Sequence, residues 1–284
     1  MTFEALETSR FAGRPLRLFV FQRQGVIWRF CKADRNLVIS GQTYLGAQID
    51  RSDIQQTAER AKNEITITLA YWRDPNADAF PSTQAFGNNW HPYIPSDPIA
   101  VTCLAAHYGD TGAPVVEWSG IVTQPAFTDT ELTLTCTPGP AIARARNQGP
   151  KWQRGCWKTV YSTGLRGCNL ALDAFDVPAT LSAVSGLVVT AAAFATAPLA
   201  LDGGWIEWTR VDGIVERRSI MAHSGSDITL LYGAADLAAG LSVTARPGCQ
   251  QTWAACDARG NTINYGGAIY KPTKDPTQDP MSWG

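Results

Sequence analysis

The sequence predicts a mainly β protein, a β-rich α+β chain, from three observations. The segment Glu64 to Trp72 alternates, with Ile65, Ile67, Leu69 and Tyr71 on one side and Thr66 and Thr68 on the other, the period of a half-buried strand. Similar apolar runs recur along the chain between clusters of turn residues. No βαβ alternation, internal repeat or low-complexity tract interrupts the pattern. The expected architecture is barrel- or sandwich-like domains with a small β domain inserted in the C-terminal half.

In chain order, Leu16 to Gln22 and Val26 to Cys31 flank Arg23-Gln24-Gly25 and read as a hairpin. Ile99 to Leu104, Val115 to Gln124 and Glu131 to Cys136 are further strand candidates. The stretch Asp74 to Pro98 carries Pro75, Pro81, Pro92, Pro95 and Pro98, so it reads as a long loop without regular elements. Loops of that length usually make contacts or carry function. Ala141 to Arg146 is expected to form one or two helical turns. Strands return at Trp205 to Val211, Val215 to His223, Asp227 to Tyr232 and Leu241 to Ala245. The expected division is an N-terminal β-rich domain at 1–150, a cysteine-bearing region at 151–181 and 246–284, and an inserted small β domain at 182–245.

The 284 residues carry 24 basic and 25 acidic side chains, a formal charge of −1. That balance argues against nucleic acid held by bulk electrostatics. A small basic cluster, Arg144, Arg146, Lys151 and Arg154, reads first as a solvated face and, in a ring, as a lining for a channel that DNA passes. No apolar run is long enough for a membrane-spanning helix, and Leu187 to Leu201 is too short and alanine-rich. The opening Met1-Thr2-Phe3-Glu4 lacks a secretory pattern, so synthesis in the host cytoplasm is expected.

Seven cysteines are present. Cys31, Cys103 and Cys136 lie in strand-like apolar runs and read as free, buried structural thiols. Cys156 and Cys168 flank an 11-residue spacer, and Cys249 and Cys256 a 6-residue one. Cys156, Cys168 and Cys249 each follow a glycine, which lets backbone N–H groups approach a sulfur. Trp152, Trp157 and Trp253 are near in sequence and available to shield such a site from water. Neither spacing is the tight pair of a zinc ribbon. Composition and spacing leave three readings open: a four-cysteine metal site, disulfides, or unconnected buried thiols.

His91, His107 and His223 show no metal-ligand spacing, and His107, which follows a strand, and His223, which ends one, read as structural. Ser224-Gly225-Ser226-Asp227 beside His223 reads as a turn rather than a catalytic constellation, because no nucleophile elbow surrounds it. Asp173, Asp176 and Asp202 form no recognisable acid–base pair. The chain is expected not to be an enzyme.

The segments Gln153-Arg154-Gly155-Cys156, Val160-Tyr161-Ser162 and Gly167-Cys168-Asn169 resemble a C-terminal signature of phage tail proteins. Gly248-Cys249-Gln250-Gln251-Thr252-Trp253, Cys256 and Gly260-Asn261-Thr262-Ile263-Asn264-Tyr265-Gly266-Gly267 continue it, and the start Met1-Thr2-Phe3-Glu4 is compatible. The family is that of baseplate hub or tail-tip proteins of siphophages and gene transfer agents, similar in role to the tail-tip protein of lambda-like phages. The likeness is strongest over residues 150–284. It implies an iron–sulfur cluster, of the [4Fe–4S] type, on Cys156, Cys168, Cys249 and Cys256, with Trp152, Trp157, Trp253 and Tyr265 shielding it. It also implies a homo-oligomer, a trimer, in the virion tail tip, in contact with a distal tail protein and with other hub or central fibre proteins. One departure concerns the end segment: family members close with an aromatic after the two glycines and a Pro-aromatic-Ile-Pro run, whereas Ala268-Ile269-Tyr270-Lys271-Pro272 stands here. The competing readings are a four-cysteine zinc protein and an iron–sulfur redox protein.

Overall fold

The fold is that of a computed structural model, which describes residues 3–9, 11, 13–55, 63–73, 81–110, 112–139 and 152–272. The expected helical turns at Ala141 to Arg146 and the basic residues Arg144, Arg146 and Lys151 lie outside the described residues. The described chain is mainly β and forms two units, Met1–Arg144 with Thr209–Glu216, and Ala145–Trp208 with Arg217–Gly284.

The first unit begins with a short helix, α1 (Phe3–Glu7), followed by β1 (Pro15–Arg23), β2 (Val26–Lys32), β3 (Leu37–Ile39), β4 (Gln42–Ala47), β5 (Ile49–Arg51) and β6 (Ile65–Ala70). A short helix α2 (Gln84–Gly87) precedes β7 (Ala100–His107), β8 (Val115–Phe127) and β9 (Glu131–Pro138). These strands form one nine-stranded sheet in the order β3-β4-β2-β1-β7-β8-β9-β6-β5. β4 pairs in parallel with β2, Phe30 opposite Leu45, and β5 then pairs antiparallel with β6, Ile49 opposite Leu69. One continuous segment therefore meets both flanks, and the sheet curls on itself as a half-barrel. The alternation read at Glu64 to Trp72 is realised: Ile65, Ile67 and Leu69 are at most 1% exposed, and Thr66 faces out.

The loop expected to hold no regular element contains α2, a correction with a packing reason. Phe86 sits in the core against Phe21 at 4.4 Å between ring centroids and edge-on to Trp90 at 5.0 Å. Burying one such ring contributes about 1.5–3 kcal/mol, enough to order a single turn that prolines merely bracket. A Cβ on Gly87 would lie 2.3 Å from the Tyr71 ring, so the turn needs glycine there. The segment Thr209–Glu216 also belongs to this unit. Its Glu216 forms a buried ion pair with Arg23 at 2.8 Å and accepts a hydrogen bond from Ser96 N–H at 3.2 Å.

The second unit contains β10 (Val177–Thr180), β11 (Ala183–Ser185), β12 (Val188–Thr190), a helical turn α3 (Ala192–Ala195), β13 (Trp205–Thr209) and β14 (Val215–Ser224) apart from their residues Thr209 and Val215–Glu216, β15 (Asp227–Leu230) and β16 (Ser242–Arg246). They make a seven-stranded sheet in the order β10-β16-β13-β14-β15-β12-β11. The sheet begins at Val177, ahead of the expected start at Ser182. Its core gathers Val189, Phe194, Leu201, Ile206, Trp208, Ile220 and Ile228. Helix α4 (Trp253–Asp257) and a 3₁₀ turn at Thr262–Asn264 follow. Among the described residues no helix is long and apolar enough to cross a membrane.

Candidate metal centre

The topology of the second sheet explains why two distant cysteine segments meet. β10 and β16 pair antiparallel, Val177 opposite Ala245, so the start of one strand lies beside the end of the other. The chain bearing Cys156 and Cys168 enters at Val177, and the chain bearing Cys249 and Cys256 leaves at Arg246. Arg246 locks the junction: its Nε and Nη2 reach the two carboxylate oxygens of Asp176 at 2.8 and 3.1 Å, and its Nη1 reaches Glu207 at 2.9 Å. Burial alone would raise the Glu207 carboxyl, but hydrogen bonds from Arg217 and Arg246 hold it below the usual range. Tyr161, in the left-handed region at φ +60°, donates from its hydroxyl to Pro247 O at 3.0 Å and so ties the first segment to the second.

Each cysteine is placed by its local turn. Cys156 N–H donates to Gln251 O at 2.7 Å, a cross-link between the segments. Cys168 N–H donates to Ser162 Oγ at 3.0 Å, and a Cβ on the preceding Gly167 would lie 2.5 Å from Ser162 O. Cys249 leaves β16 through Gly248, where a Cβ would lie 2.3 Å from Gly203 C; one on Gly204 would lie 1.9 Å from Arg246 O. Two glycine backbones thus pack face to face beneath Cys249. Cys256 rides on α4, whose N-cap Thr252 accepts from Ala255 N–H at 3.1 Å.

Three of the four sulfurs accept N–H groups. Gly266 N–H donates to Cys156 Sγ at 3.3 Å, Gln251 N–H to Cys249 Sγ at 3.4 Å, and Asn261 Nδ2 to Cys168 Sγ at 3.3 Å. Cys256 Sγ donates to Asn261 O at 3.1 Å. Burial raises the Cys256 thiol, and Cys156, Cys168 and Cys249 raise it further, so each of the three lies within electrostatic range of Cys256. Arg259 opposes that shift and donates to Ala255 O and Gly248 O. All four cysteines are free thiols in this structure.

Four free thiols, three of them under N–H donors, are a donor set that an iron–sulfur cluster would use. Among the described residues no group of three or more His, Cys, Asp or Glu side chains is arranged to hold one metal ion.

The predicted shielding residues divide. Tyr265 donates to Arg154 O at 2.7 Å and meets Trp253 edge-on at 5.2 Å. Its phenol is raised first by burial and then by Cys156, Cys256 and Cys249, so those three lie within electrostatic reach of it. Trp157 packs close to Gly266, its Nε1 3.0 Å from where a Cβ would stand. Trp152 is 74% exposed, with Lys271 Nζ 5.1 Å over its ring. Sequence reasoning missed Asn261, which is 7% exposed and contacts two of the thiols; it stood inside the quoted signature without an assigned role. Cys31, Cys103 and Cys136 are buried in the first unit, as read, and burial pushes the latter two up to about 12.

Both structural histidine assignments hold. His107 Nδ1 accepts Arg14 N–H at 3.0 Å while Nε2 meets Glu7 at 2.6 Å, and His223 Nδ1 accepts Leu201 N–H at 3.3 Å. Ser224 to Asp227 is the tight turn joining β14 to β15.

Part of the chain is similar to a family of phage proteins. Residues 200–275 match the family of phage conserved hypothetical protein BR0599. An uncharacterized protein of Xylella fastidiosa strain 9a5c is 32% identical, with all of both chains covered, and the chain belongs to the same family as that protein. A chain in the virion of a native gene transfer agent particle shares the fold, with a TM-score of 0.70, 16% identity, and coverage of 99% of this chain and 98% of that one.

Proposed function

We propose that this chain is a structural, non-enzymatic subunit of a phage-like tail, a baseplate hub or tail-tip component, in which Cys156, Cys168, Cys249 and Cys256 hold an iron–sulfur cluster of the [4Fe–4S] type. The observation that carries the reading is the convergence of four free thiols from two chain segments, three of them under N–H donors. The phage family match and the fold shared with a gene transfer agent virion chain support a place in the particle.

The cluster would tie the two segments where β10 and β16 already bring them together. Metal-site formation supplies on the order of 10 kcal/mol in structural zinc domains, and a cross-link here also restrains the unfolded chain between Cys168 and Cys249. This chain's own residues preset the site: Gly266, Gln251 and Asn261 aim donors at sulfur, Arg259 offsets negative charge, and Tyr265, Trp253 and Trp157 limit access of water. In the tail the subunit would form a trimeric ring between a distal tail protein and downstream hub or fibre proteins, with DNA passing transiently through the channel.

Iron and acid-labile sulfide measured on anaerobically purified protein test the centre. Brown protein with both supports it; colourless, zinc-loaded protein overturns it. Replacing any one of the four cysteines by Ser should remove colour and lower Tm together, and single variants with full metal content would refute the joint assignment. Labelled chains located at the tail tip of purified particles support the hub role, and their absence from particles refutes it.

A further inference from the structure

Cys168 terminates a chain of three side-chain amides. Gly164 N–H donates to Asn169 Oδ1 at 2.9 Å, and Asn169 Nδ2 donates to Asn264 Oδ1 at a long 3.5 Å. Asn264 Nδ2 donates to Asn261 Oδ1 at 2.7 Å, and Asn261 Nδ2 donates to Cys168 O at 2.7 Å and to Cys168 Sγ at 3.3 Å. Both ends dictate the direction. A backbone N–H can only donate and a backbone carbonyl can only accept, so each amide between them has one permitted orientation. Every N–H in the chain points toward Cys168, and hydrogen bonds aligned this way polarise one another.

Asn261 is the residue on which the chain converges. It is 7% exposed, and a buried amide is tolerated only when its groups are paired. Its backbone O also accepts Cys256 Sγ at 3.1 Å, so one residue touches a thiol of each cysteine segment. Asn169 holds its end of the chain in the left-handed region, φ +55°, just after Cys168.

We propose that Asn169, Asn264 and Asn261 form a polarised amide relay in which Asn261 is a positioning residue, holding Cys168 in place relative to Cys256 and raising the reduction potential of the cluster through its N–H···S bond. The proposal rests on the reading that the four cysteines hold an iron–sulfur cluster. A sulfur that accepts an N–H carries less charge toward iron, which makes reduction easier. This bond strengthens as the sulfur gains charge on reduction, so losing it should shift the reduction equilibrium about tenfold.

The test uses the full chain purified anaerobically, with redox titration and chelator-driven iron loss as readouts. Asn261→Leu, similar in size but without a donor, should lower the midpoint potential by about 59 mV, the one-electron equivalent of that tenfold change, and speed iron loss. Asn264→Ala touches neither thiol and removes only the group that orients Asn261. It should shift the potential in the same direction by less, and it carries the test if Asn261→Leu is insoluble. A folded Asn264→Ala chain that fails to retain iron supports the positioning role. A wild-type potential and wild-type iron loss in either loaded variant overturn the relay while leaving the cluster reading intact. Wild-type protein without iron and sulfide overturns the cluster reading itself.

Discussion

At the scale of single residues, burial separates the two classes of cysteine. Cys103 and Cys136 are at most 1% exposed in the barrel core, and desolvation above all pushes their thiols up to about 12. They should stay unmodified by a thiol reagent at pH 8 until the chain unfolds, and Cys→Ala at either should leave iron content unchanged while costing about 1–2 kcal/mol of packing. Labelling of the native protein at either position, or loss of iron in either variant, would contradict this. Asp50 shows the opposite electrostatics. Partial burial would raise its carboxyl, but hydrogen bonds from Lys32, Arg17 and Arg51 N–H hold it at about 2. Its folded value is below its unfolded one, so its stabilising contribution is complete above about pH 4 and is lost as pH falls toward 2. Denaturation midpoints should therefore decline below pH 4, and Asp50→Asn should flatten that decline; identical acid profiles would sink the assignment.

At the scale of elements, the β13–β14 sheet and the cysteine turn are packed too closely for a side chain. The Gly204 Cβ position lies 1.9 Å from Arg246 O, at the end of the strand that delivers Cys249. Gly204→Ala must displace that backbone, and overpacking of this kind costs about 1–3 kcal/mol. The expected result is a lowered Tm together with reduced iron content, although Gly204 lies in neither cysteine segment. Gly186→Ala is the control. It sits in the β11–β12 turn with open space at its Cβ and a left-handed φ of +61°, so it should lower Tm modestly and leave iron unchanged. Equal iron loss in both variants would show that the effect is global destabilisation and not the seat of Cys249. The strands themselves were legible in the sequence wherever one face is buried: Glu64 to Trp72 and Asp227 to Tyr232 show the period-two pattern that a half-buried strand imposes. β3, β4 and β5 were not, because Leu37 to Arg51 contains short pieces whose strand character comes from pairing with β2 and β6.

At the scale of the whole molecule, the order of attachment along the C-terminal region makes a separable prediction. Asn261, Tyr265 and Gly266 all contact the cysteine centre, and Ala268 N–H donates to Gln153 O at 2.8 Å. Trp283 and the prolines beyond Pro272 lie outside the described residues. Ending the chain after Pro272 should leave iron content at the wild-type level and impair incorporation into particles, because the recurring Pro272, Pro276 and Pro280 oppose a helix or sheet of the end's own and Trp283 is then available to dock on a neighbouring subunit. Ending it after Cys256 should abolish the colour. A chain stopped after Cys256 that still holds iron, or one stopped after Pro272 that assembles normally, would remove the corresponding role from the segment.

The sequence by itself determined the β class, the two groups of cysteines and the signature around them, since periodicity, glycine placement and motif are local properties of the chain. It also marked Arg246 and Asp176 as charged residues without showing that they meet. Only the tertiary structure decided that Thr209–Glu216 joins the first unit and that Phe86 brings a helical turn into its core. Only the tertiary structure, again, aimed three asparagine amides in one direction at Cys168. These depend on contacts between residues far apart in the chain, such as Arg23 with Glu216 and Asn261 with Cys168, whose free energy exists only once strand pairing has brought the partners within reach.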